Sequence, residues 1–216
     1  MAKTILNATQ QRALDWVADN SVLTKQFYLS GGTALAEFYL KHRYSEDLDF
    51  FSPKEFDFID LQPHIQSLRK FLKAKSLTIE NRFNRNLIFF ETPVETLKLE
   101  FSWFVGEPIE KGMEYHKLTI DSKLDIAVNK LFTIYQRPRA RDYIDLFYLL
   151  PEFSLKKLIA LARIKFDWHI DLLQLGARFN KPDLSDWPRM ITALKPETVQ
   201  GYFRKLALTL GKEIIE

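Results

Sequence analysis

Two aspartates two positions apart, Asp47 and Asp49, are the side chains in this sequence best suited to hold a metal ion. They lie at the start of an apolar run, 48–51, that predicts a β-strand. Because side chains alternate along a strand, both carboxylates project from the same face, where they repel each other unless a cation lies between them. Mg²⁺ commonly binds through one or two carboxylates and the phosphates of a substrate. The pair therefore indicates magnesium-dependent phosphate chemistry, although an Asp-x-Asp pair alone is more often a solvated strand end.

Two adjacent glycines, Gly31 and Gly32, precede this strand and follow the short apolar run 27–29. Glycine permits positive φ and a close approach of the backbone to a ligand. The residues after the pair, 33–41, predict a helix, and a helix N-terminus offers free N–H groups and a positive dipole end to phosphates. The order strand, glycine pair, helix, Asp-x-Asp strand predicts a nucleotide site in which Gly31, Gly32 and Thr33 bind phosphates. A glycine pair alone would indicate only a turn.

The segment GGTALAEFYLKHRYSEDLDFF resembles the first motif of the AbiEii/AbiGii nucleotidyltransferase family, within the DNA polymerase β-like superfamily. The spacing Arg43-x-Ser45-x-Asp47-Leu48-Asp49 is the more specific part of the resemblance. The resemblance implies a Mg²⁺-dependent enzyme that moves a nucleoside monophosphate from an NTP to an acceptor hydroxyl and releases pyrophosphate. Under this interpretation Arg43 neutralises the triphosphate, and Ser45 orients Asp47 or contacts a phosphate.

A third carboxylate is expected on a later strand, because the superfamily completes its two-metal site in that way. The resemblance implies Glu100 for this role, on the predicted strand 96–104. Alternation along this strand turns the apolar residues at 97, 99 and 101 towards the core and Lys98 and Glu100 towards the other face. Glu100 could instead be an ordinary polar position on a half-exposed strand, and Glu91 and Glu95 are weaker candidates.

A second motif resembles the same family in KLDIAVNKLFTIYQRPRARDYIDLFYLL, at 123–150: a helix containing a lysine, an arginine-rich turn, then Arg-Asp-x-x-Asp-Leu. The resemblance implies that Lys130 contacts the triphosphate and that Asp142 or Asp145 is essential for catalysis. Lysine is a compact phosphate-binding charge. Arginines at 137, 139 and 141 surround the helix start, and we assign Arg141 to the nucleotide.

Each of these residues also has a purely structural interpretation. A lysine beside an apolar stripe usually extends to solvent. Asp142 suits a helix cap, and Arg141 and Asp145 have the i,i+4 spacing of a simple ion pair.

The remaining pattern predicts an α+β protein with a mixed β-sheet and flanking helices, followed by a helical C-terminal half. We expect residues 1–120 to form the nucleotidyltransferase core and residues 121–216 to form a helical domain that completes the nucleotide site. The remaining predicted helices are 9–20, 61–74, 122–136, one from 141, 154–166, 168–179 and 197–214; the remaining strands are 77–83 and 87–92, and a connector spans 105–122.

Composition narrows the class of protein. The 216 residues are 46% hydrophobic and 14% aromatic, which is enough for a sizeable core. The absence of cysteine excludes disulfides, thiolate metal sites and cysteine nucleophiles. We see no signal-peptide pattern and no apolar run of membrane-spanning length, so we expect a cytoplasmic protein without a membrane partner. The net charge is +3 and its positive excess lies in residues 121–216, which permits a phosphate-rich partner.

The resemblance also implies a biological role. AbiEii-like proteins are the toxins of two-gene toxin–antitoxin or phage-defence systems, and the related MenT toxins add nucleotides to the 3′ end of tRNA. It therefore implies an NTP as co-substrate, tRNA as acceptor and an antitoxin encoded by a neighbouring gene. Two alternatives stay open: a nucleotidyltransferase that acts on a protein or a small molecule, and a non-catalytic nucleotide-binding module.

Overall fold

The computed structural model describes residues 4–104 and 106–215. Strands and helices are both present up to residue 120, and only helices follow. The helices are α1 (Ala8–Asp19), α2 (Leu23–Gln26), α3 (Gly31–Leu35), α4 (Phe58–Leu72), α5 (Lys123–Gln136), α6 (Ala140–Leu149), α7 (Leu155–Phe166), α8 (Leu172–Asn180) and α9 (Pro196–Ile215). The strands are β1 (Tyr28–Ser30), β2 (Asp47–Ser52), β3 (Ser76–Arg82), β4 (Arg85–Glu91), β5 (Thr96–Trp103), β6 (Met113–Tyr115) and β7 (Leu118–Ile120).

The strands form one mixed sheet in the order β3-β4-β5-β2-β1-β7-β6. The neighbours β2 and β5 are parallel, and so are β1 and β7, whereas the other neighbouring pairs are antiparallel. The predicted α+β class with a mixed sheet is therefore confirmed. The proposed division at residue 120 stays a prediction, although the last strand does end there.

The two faces of the sheet differ in polarity, as the alternation along its central strands requires. On β2, Leu48 and Phe50 are fully buried, whereas the alternate residues from Asp47 onwards are partly exposed. On the apolar face the ring of Phe101 lies 5.0 Å from that of Phe27 and stacks at 4.9 Å on that of Phe50. The opposite face carries the polar residues of β2 and β5 and is covered in part by α5.

The structure corrects three of the predicted elements. The expected connector 105–122 contains the hairpin β6–β7, and β7 pairs with β1 at Leu29 and Ile120. These strands have three residues each, which is too short for alternation to reveal. The expected helix 33–41 is the short α3 followed by a π-helical segment, Ala36–Leu40. The expected helix 168–179 begins only at Leu172, after its cap Asp171.

A segment near the C-terminus returns to the loop before β2. Arg43 forms an isolated bridge with Met190, and the N–H of Ile191 donates to the carbonyl oxygen of His42 at 2.9 Å. The guanidinium of Arg189 lies 4.3 Å from the centre of the Tyr44 ring. The loop that leads into the Asp-x-Asp strand is therefore held by residues from the far end of the chain.

Within the described residues, no helix is both long and apolar enough to cross a membrane.

Candidate active site

The parallel pairing of β2 with β5 determines which polar side chains lie beside each other. Asp49 is level with Glu100, and Asp47 is level with Lys98. Since neighbouring residues in a sheet share a face, the two aspartates, Lys98 and Glu100 form one polar patch on the face opposite the phenylalanine core.

Asp49 lies at the centre of this patch. Its side chain has no hydrogen-bond or ion-pair partner in the part of the chain that the structure describes. Burial, together with the charges of Glu100 and Asp47, raises the pKa of Asp49 to about 6. A carboxylate in this setting is stabilised by any cation that enters the patch.

The other two carboxylates already have cationic partners. Lys98 Nζ lies 2.7 Å from Asp47 Oδ2. Arg85 binds Glu100 through two hydrogen bonds of 2.7 and 2.6 Å, and the hydroxyl of Ser102 donates to Glu100 at 2.7 Å. Burial alone would raise the pKa of Glu100, but the bonds from Arg85 and Ser102 lower it below its ordinary value. Glu100 is therefore a carboxylate whose oxygens are both in use.

The donor set fits Mg²⁺ at the two aspartates better than at Glu100. Among the described residues, no three Asp, Glu or His side chains are grouped as a ready metal-ligand set. Asp49 has free oxygens and two acidic neighbours, and a salt bridge to Lys98 is the kind of contact that a divalent cation can replace. Mg²⁺ binding stays a prediction, and Glu100 would have to release Arg85 before it could act as the third ligand.

The glycine pair brings the backbone close to the carboxylates. Gly31 has φ +76°, in the left-handed region, and a Cβ on it would lie 2.7 Å from Asp49 Oδ2. A Cβ on Gly32 would lie 2.5 Å from Arg43 Nη2. Both glycines and Ser45 line a cavity above Asp49. The prediction for Thr33 needs correction, because its buried hydroxyl donates to the carbonyl oxygen of Asp47 and holds β2 instead of facing a ligand.

A buried ion cluster lies behind this cavity. Arg43 binds Asp145 through Nε at 2.6 Å and Nη2 at 2.7 Å, and both side chains are almost fully buried. Lys130 Nζ lies 2.7 Å from Asp145 and 2.8 Å from Asp142. Burial opposes these charges, yet Arg43 and Lys130 hold the pKa of Asp145 well below its ordinary value. His42 Nε2 also lies 2.8 Å from Asp145.

This cluster changes two predicted roles. Arg43 is almost fully buried and lines neither site cavity, and its third donor group, Nη1, binds the carbonyl oxygen of Tyr44 at 2.9 Å. Arg43 therefore positions the loop and is not placed to touch a triphosphate. Asp145 is likewise a buried positioning residue and not one exposed to substrate. Among the described residues, Asp145 therefore does not form the simple ion pair with Arg141 that their i,i+4 spacing allows.

Asp142 and Lys130 keep a place at the cavity. Asp142 accepts a hydrogen bond from the N–H of Arg139 at 3.0 Å, as a residue in the first turn of α6. It therefore both caps the helix and binds Lys130. Burial opposes the charge of Lys130, but Asp142 and Asp145 raise its pKa above the ordinary value. Lys130 thus carries a positive charge at the base of the site.

Two adjoining cavities meet at the aspartates. The smaller, about 230 Å³, has a cationic wall and holds most of the predicted site residues. Its lining is Gly31, Gly32, Ser45, Asp47, Asp49, Arg85, Lys130, Thr133, Arg137, Arg139, Arg141 and Asp142. The larger, about 410 Å³, shares the two aspartates, Arg85, Arg137 and Arg141, and adds Glu100, the amide side chain of Asn129 and several aromatic rings. The aromatic residues of the larger cavity are Tyr28, Phe51, Trp103, Phe104, Phe132 and Phe166.

Several side chains at the site were not found from the sequence. The sequence indicates Lys98 only as a polar strand residue and Arg85 only as part of a turn. In the structure the parallel register of β2 and β5 brings Lys98 to Asp47. Strand β4, which pairs with β5, brings Arg85 to Glu100. Asn129 lies one position before Lys130, and its amide donates to Asp121 at 3.3 Å. The alternation of β5 could have placed Lys98 at the site, but only with its strand partner known.

The raised pKa of Asp49 predicts a stability effect in the metal-free protein. Its folded pKa of about 6 exceeds the ordinary value of 3.8, so ionisation destabilises the fold increasingly between those values and fully above them. In EDTA, Asp49→Asn should raise the free energy of unfolding by about 3 kcal/mol above pH ~7 and by little near pH ~4. Urea unfolding at the two pH values measures this. Asp47→Asn is the control, and it should give no gain because it leaves Lys98 without its partner; an equal gain from Asp49→Asn at both pH values would contradict the assignment.

Comparison with known proteins identifies the family. The family model for the AbiEii nucleotidyl transferase toxin of type IV toxin–antitoxin systems matches residues 12–207. This chain belongs to the AbiEii family. It is therefore a nucleotidyltransferase toxin of a type IV toxin–antitoxin family, and membership implies an antitoxin partner.

The relatives of this AbiEii-family chain agree with the assignment of its fold. An uncharacterized protein of Aquifex aeolicus is 31% identical over 168 residues, 74% of this chain and 76% of that protein. A putative nucleotidyltransferase from Helicobacter pylori superposes with a TM-score of 0.60 at 23% identity over 96% of this chain and 95% of its own. MenT4, a nucleotidyltransferase toxin of Mycobacterium tuberculosis, gives 0.56 at 13% identity over 93% and 81%. The fold of the chain is that of these nucleotidyltransferases.

Proposed function

We propose that this AbiEii-family chain transfers a nucleoside monophosphate from an NTP to an acceptor hydroxyl in a Mg²⁺-dependent reaction. The observation that carries the proposal is the position of Asp49. It is a partly buried carboxylate without a partner among the described residues, set beside Asp47 and directly under the backbone of Gly31. A wall of arginines and Lys130 lies across the same cavity.

The smaller cavity suits the triphosphate. Arg141 presents positive charge to it, with Arg137 and Arg139 at its rim, while Lys130 lies at its base, where Asp142 and Asp145 neutralise its charge. Gly31 and Gly32 leave room for phosphate oxygens to approach the backbone, and the hydroxyl of Ser45 lies at the same edge. These groups would neutralise the triphosphate and hold its β- and γ-phosphates as the leaving pyrophosphate.

The larger cavity suits the nucleoside. Phe132 and Phe166 stack with ring centres 3.8 Å apart and, with Tyr28, give it an aromatic wall. Asn129 and Gln136 supply polar groups for a sugar or a base. A nucleoside bound here has its phosphates directed to the aspartates, where the two cavities meet.

Asp47 and Asp49 would hold Mg²⁺, which when bound stabilises negative charge on the α-phosphate and on the attacking oxygen. The acceptor oxygen attacks the α-phosphorus and loses its proton to solvent. A new oxygen–phosphorus bond forms, the bond to the bridging oxygen of the β-phosphate breaks, and pyrophosphate leaves with that electron pair. The arginines of the cavity wall bind the charge that develops on the leaving group.

For the acceptor, we infer the 3′ end of tRNA. The support is the family of toxins to which the chain belongs and the excess of positive charge in residues 121–216. An acceptor bound through several phosphates should lose affinity steeply as salt is raised. A protein or small-molecule acceptor should show little dependence on salt.

A transfer assay tests the proposal. The protein is mixed with Mg²⁺, each α-labelled NTP in turn and total tRNA, beside Asp49→Ala and the control Asp183→Ala. Asp183 is an exposed aspartate whose side chain binds only Ser185 among the described residues. We expect label on tRNA with one or two NTPs, lost in Asp49→Ala and retained in the control. Label on protein would overturn the tRNA acceptor, and nucleotide binding without turnover would overturn the catalytic proposal.

A further inference from the structure

Arg85 lies at the boundary between the two catalytic cavities and lines both of them. It is the first residue of β4, so it reaches this boundary from the sheet, whereas the other arginines reach it from the helical half. The residues that line both cavities are Asp47, Asp49, Arg85, Thr133, Arg137 and Arg141. The proposed function puts the α-phosphate at this boundary, above the two aspartates. Arg85 is therefore next to the phosphorus at which transfer would occur.

Glu100 holds the guanidinium of Arg85 in a fixed orientation. Its two oxygens accept hydrogen bonds from Nε at 2.7 Å and from Nη2 at 2.6 Å, the bidentate geometry that orients an arginine most strictly. Glu100 is itself held by the hydroxyl of Ser102 at 2.7 Å. The side chain of Glu100 is 7% exposed and that of Arg85 is 34% exposed. Most of the surface that the pair offers to a ligand therefore belongs to Arg85.

Part of the Arg85 guanidinium remains available to a ligand. Of the five N–H groups of an arginine, Glu100 occupies the one on Nε and one on Nη2. Within the part of the chain that the structure describes, Nη1 has no hydrogen-bond partner. Because Glu100 balances the charge of Arg85, this residue offers directed N–H donors in a fixed position. Preorganised donors of this kind stabilise the charge of a transition state.

We propose, on the basis of the function proposed above, that Arg85 is a catalytic residue that donates to a non-bridging oxygen of the α-phosphate, and that Glu100 positions it. The acceptor oxygen bonds to the α-phosphorus while the bond to the bridging oxygen of the β-phosphate breaks, and negative charge is spread over the non-bridging oxygens. The N–H groups of Arg85 stabilise that charge without reorganising, because Glu100 holds them in place before the substrate binds.

Glu100 fits this positioning role better than the role of a third metal ligand. To bind a metal it would have to give up its hydrogen bonds from Arg85, which would leave that guanidinium without its anchor. Asp49, in contrast, has no partner to release among the described residues. Since Mg²⁺ commonly binds through one or two carboxylates and the phosphates of a substrate, Asp47 and Asp49 are a sufficient set.

Three variants separate the role of Arg85 from that of the fold. Arg85→Gln replaces the guanidinium by a shorter, neutral amide. The double variant Arg85→Gln with Glu100→Gln removes both charges, so it leaves no buried carboxylate without its partner and keeps the net charge. Arg82→Gln is the matched control, because Arg82 is an exposed arginine on β3, ion-paired with Glu80 at 2.7 Å, that lines neither catalytic cavity. Thermal unfolding should give the double variant the stability of the parent, so that its loss of activity is not a loss of fold.

The primary measurement is the rate of transfer with the Sp and Rp diastereomers of the α-thio derivative of the NTP that the enzyme uses. Sulfur replaces a different non-bridging oxygen in each, so a residue that binds one of these oxygens gives the enzyme a preference between them. Arg85→Gln and the double variant should lower kcat with the ordinary NTP by about 100-fold. They should also change the ratio of the two diastereomer rates by about tenfold. Arg82→Gln should change neither, and an unchanged ratio in Arg85→Gln would overturn the proposal, because a purely structural residue affects both diastereomers alike.

The role of Glu100 is tested by Mn²⁺ binding to the protein without nucleotide, followed through the EPR signal of the free ion. The double variant should bind Mn²⁺ within about threefold of the parent, whereas Asp49→Ala should bind it at least about tenfold more weakly. A loss as large as that of Asp49→Ala in the double variant would show that Glu100 is a metal ligand and would overturn its positioning role. A kcat of the double variant well below that of Arg85→Gln would overturn it too, because Glu100 would then act independently of Arg85.

These outcomes are distinct from failure of the proposed function. If the parent protein transferred no nucleotide, binding of the α,β-methylene analogue of each NTP would decide the role of Arg85, since these analogues keep the oxygens of the α-phosphate and are not cleaved. At least one analogue should bind Arg85→Gln about tenfold more weakly than the parent, with no change in Arg82→Gln. Equal binding to Arg85→Gln and the parent would overturn the assignment. Transfer at the full rate by Arg85→Gln would keep the proposed function and reject Arg85 as a catalytic residue.

Discussion

Asp49→Ala should abolish nucleotidyl transfer and relieve growth arrest when the protein is expressed without its antitoxin. Loss of the central carboxylate removes the most favourable position for a cation beside the α-phosphate. The expected fall in kcat is on the order of 10³-fold or more, as for the loss of a group that stabilises the transition state directly. Transfer of label from α-labelled NTP, together with growth on induction, measures the effect.

The fold of this variant should remain intact, because Asp49 forms no ion pair with any of the described residues that the substitution would break. Thermal unfolding at or above the parent temperature would show this. Asp183→Ala, at an exposed position of the helical half, should keep both activity and toxicity. If Asp49→Ala arrested growth as strongly as the parent chain, the assignment of the active site would be wrong.

Asp145→Ala should cause the largest loss of stability among single substitutions at the site. It leaves Arg43 and Lys130 buried without the carboxylate that neutralises them. Removing one partner from a buried ion cluster costs about 3–5 kcal/mol. Urea unfolding followed by tryptophan fluorescence measures the change in the free energy of unfolding.

The pH dependence gives a second test of the same cluster. The folded pKa of Asp145 lies well below its ordinary value of 3.8, so its stabilisation is complete at neutral pH and is lost only in strong acid. The difference between the parent and Asp145→Ala should therefore be constant from pH ~5 to pH ~8. Asp183→Ala should change stability by less than about 0.5 kcal/mol. A loss of that small size for Asp145→Ala would show that the buried cluster is not important for the fold.

The fold was largely predictable because the apolar residues of its longer helices and strands repeat at helical or strand spacing. Alternation at 97, 99 and 101 gave the core face of β5, and the apolar stripe of 122–136 gave α5. The hairpin β6–β7 was missed because strands of three residues have no period to read. The π-helical segment at 36–40 was missed because its sequence still has helical spacing, and only the hydrogen bonding differs.

The parts of the site that come from one short segment of the chain were predictable. The contacts between residues far apart in the sequence were not. Gly31, Gly32, Asp47 and Asp49 come from one segment, and the structure places them together. The interpretation of Arg43 as a triphosphate ligand failed because its partner, Asp145, lies 102 positions away. A positive charge close to a metal motif suggests phosphate binding until a buried carboxylate is found to neutralise it.

The return of residues 189–191 to the loop at 42–44 bears on the order of events during synthesis. A growing chain exposes β1 and β2 early, but the loop between them lacks its partners Asp145, Met190 and Ile191 until most of the chain has emerged. Lys130 and the arginine-rich turn at 137–141 are also synthesised well after β1 and β2. An incomplete chain therefore carries the aspartates without a finished site, and we expect a toxin built in this way to become harmful only once its translation is nearly complete.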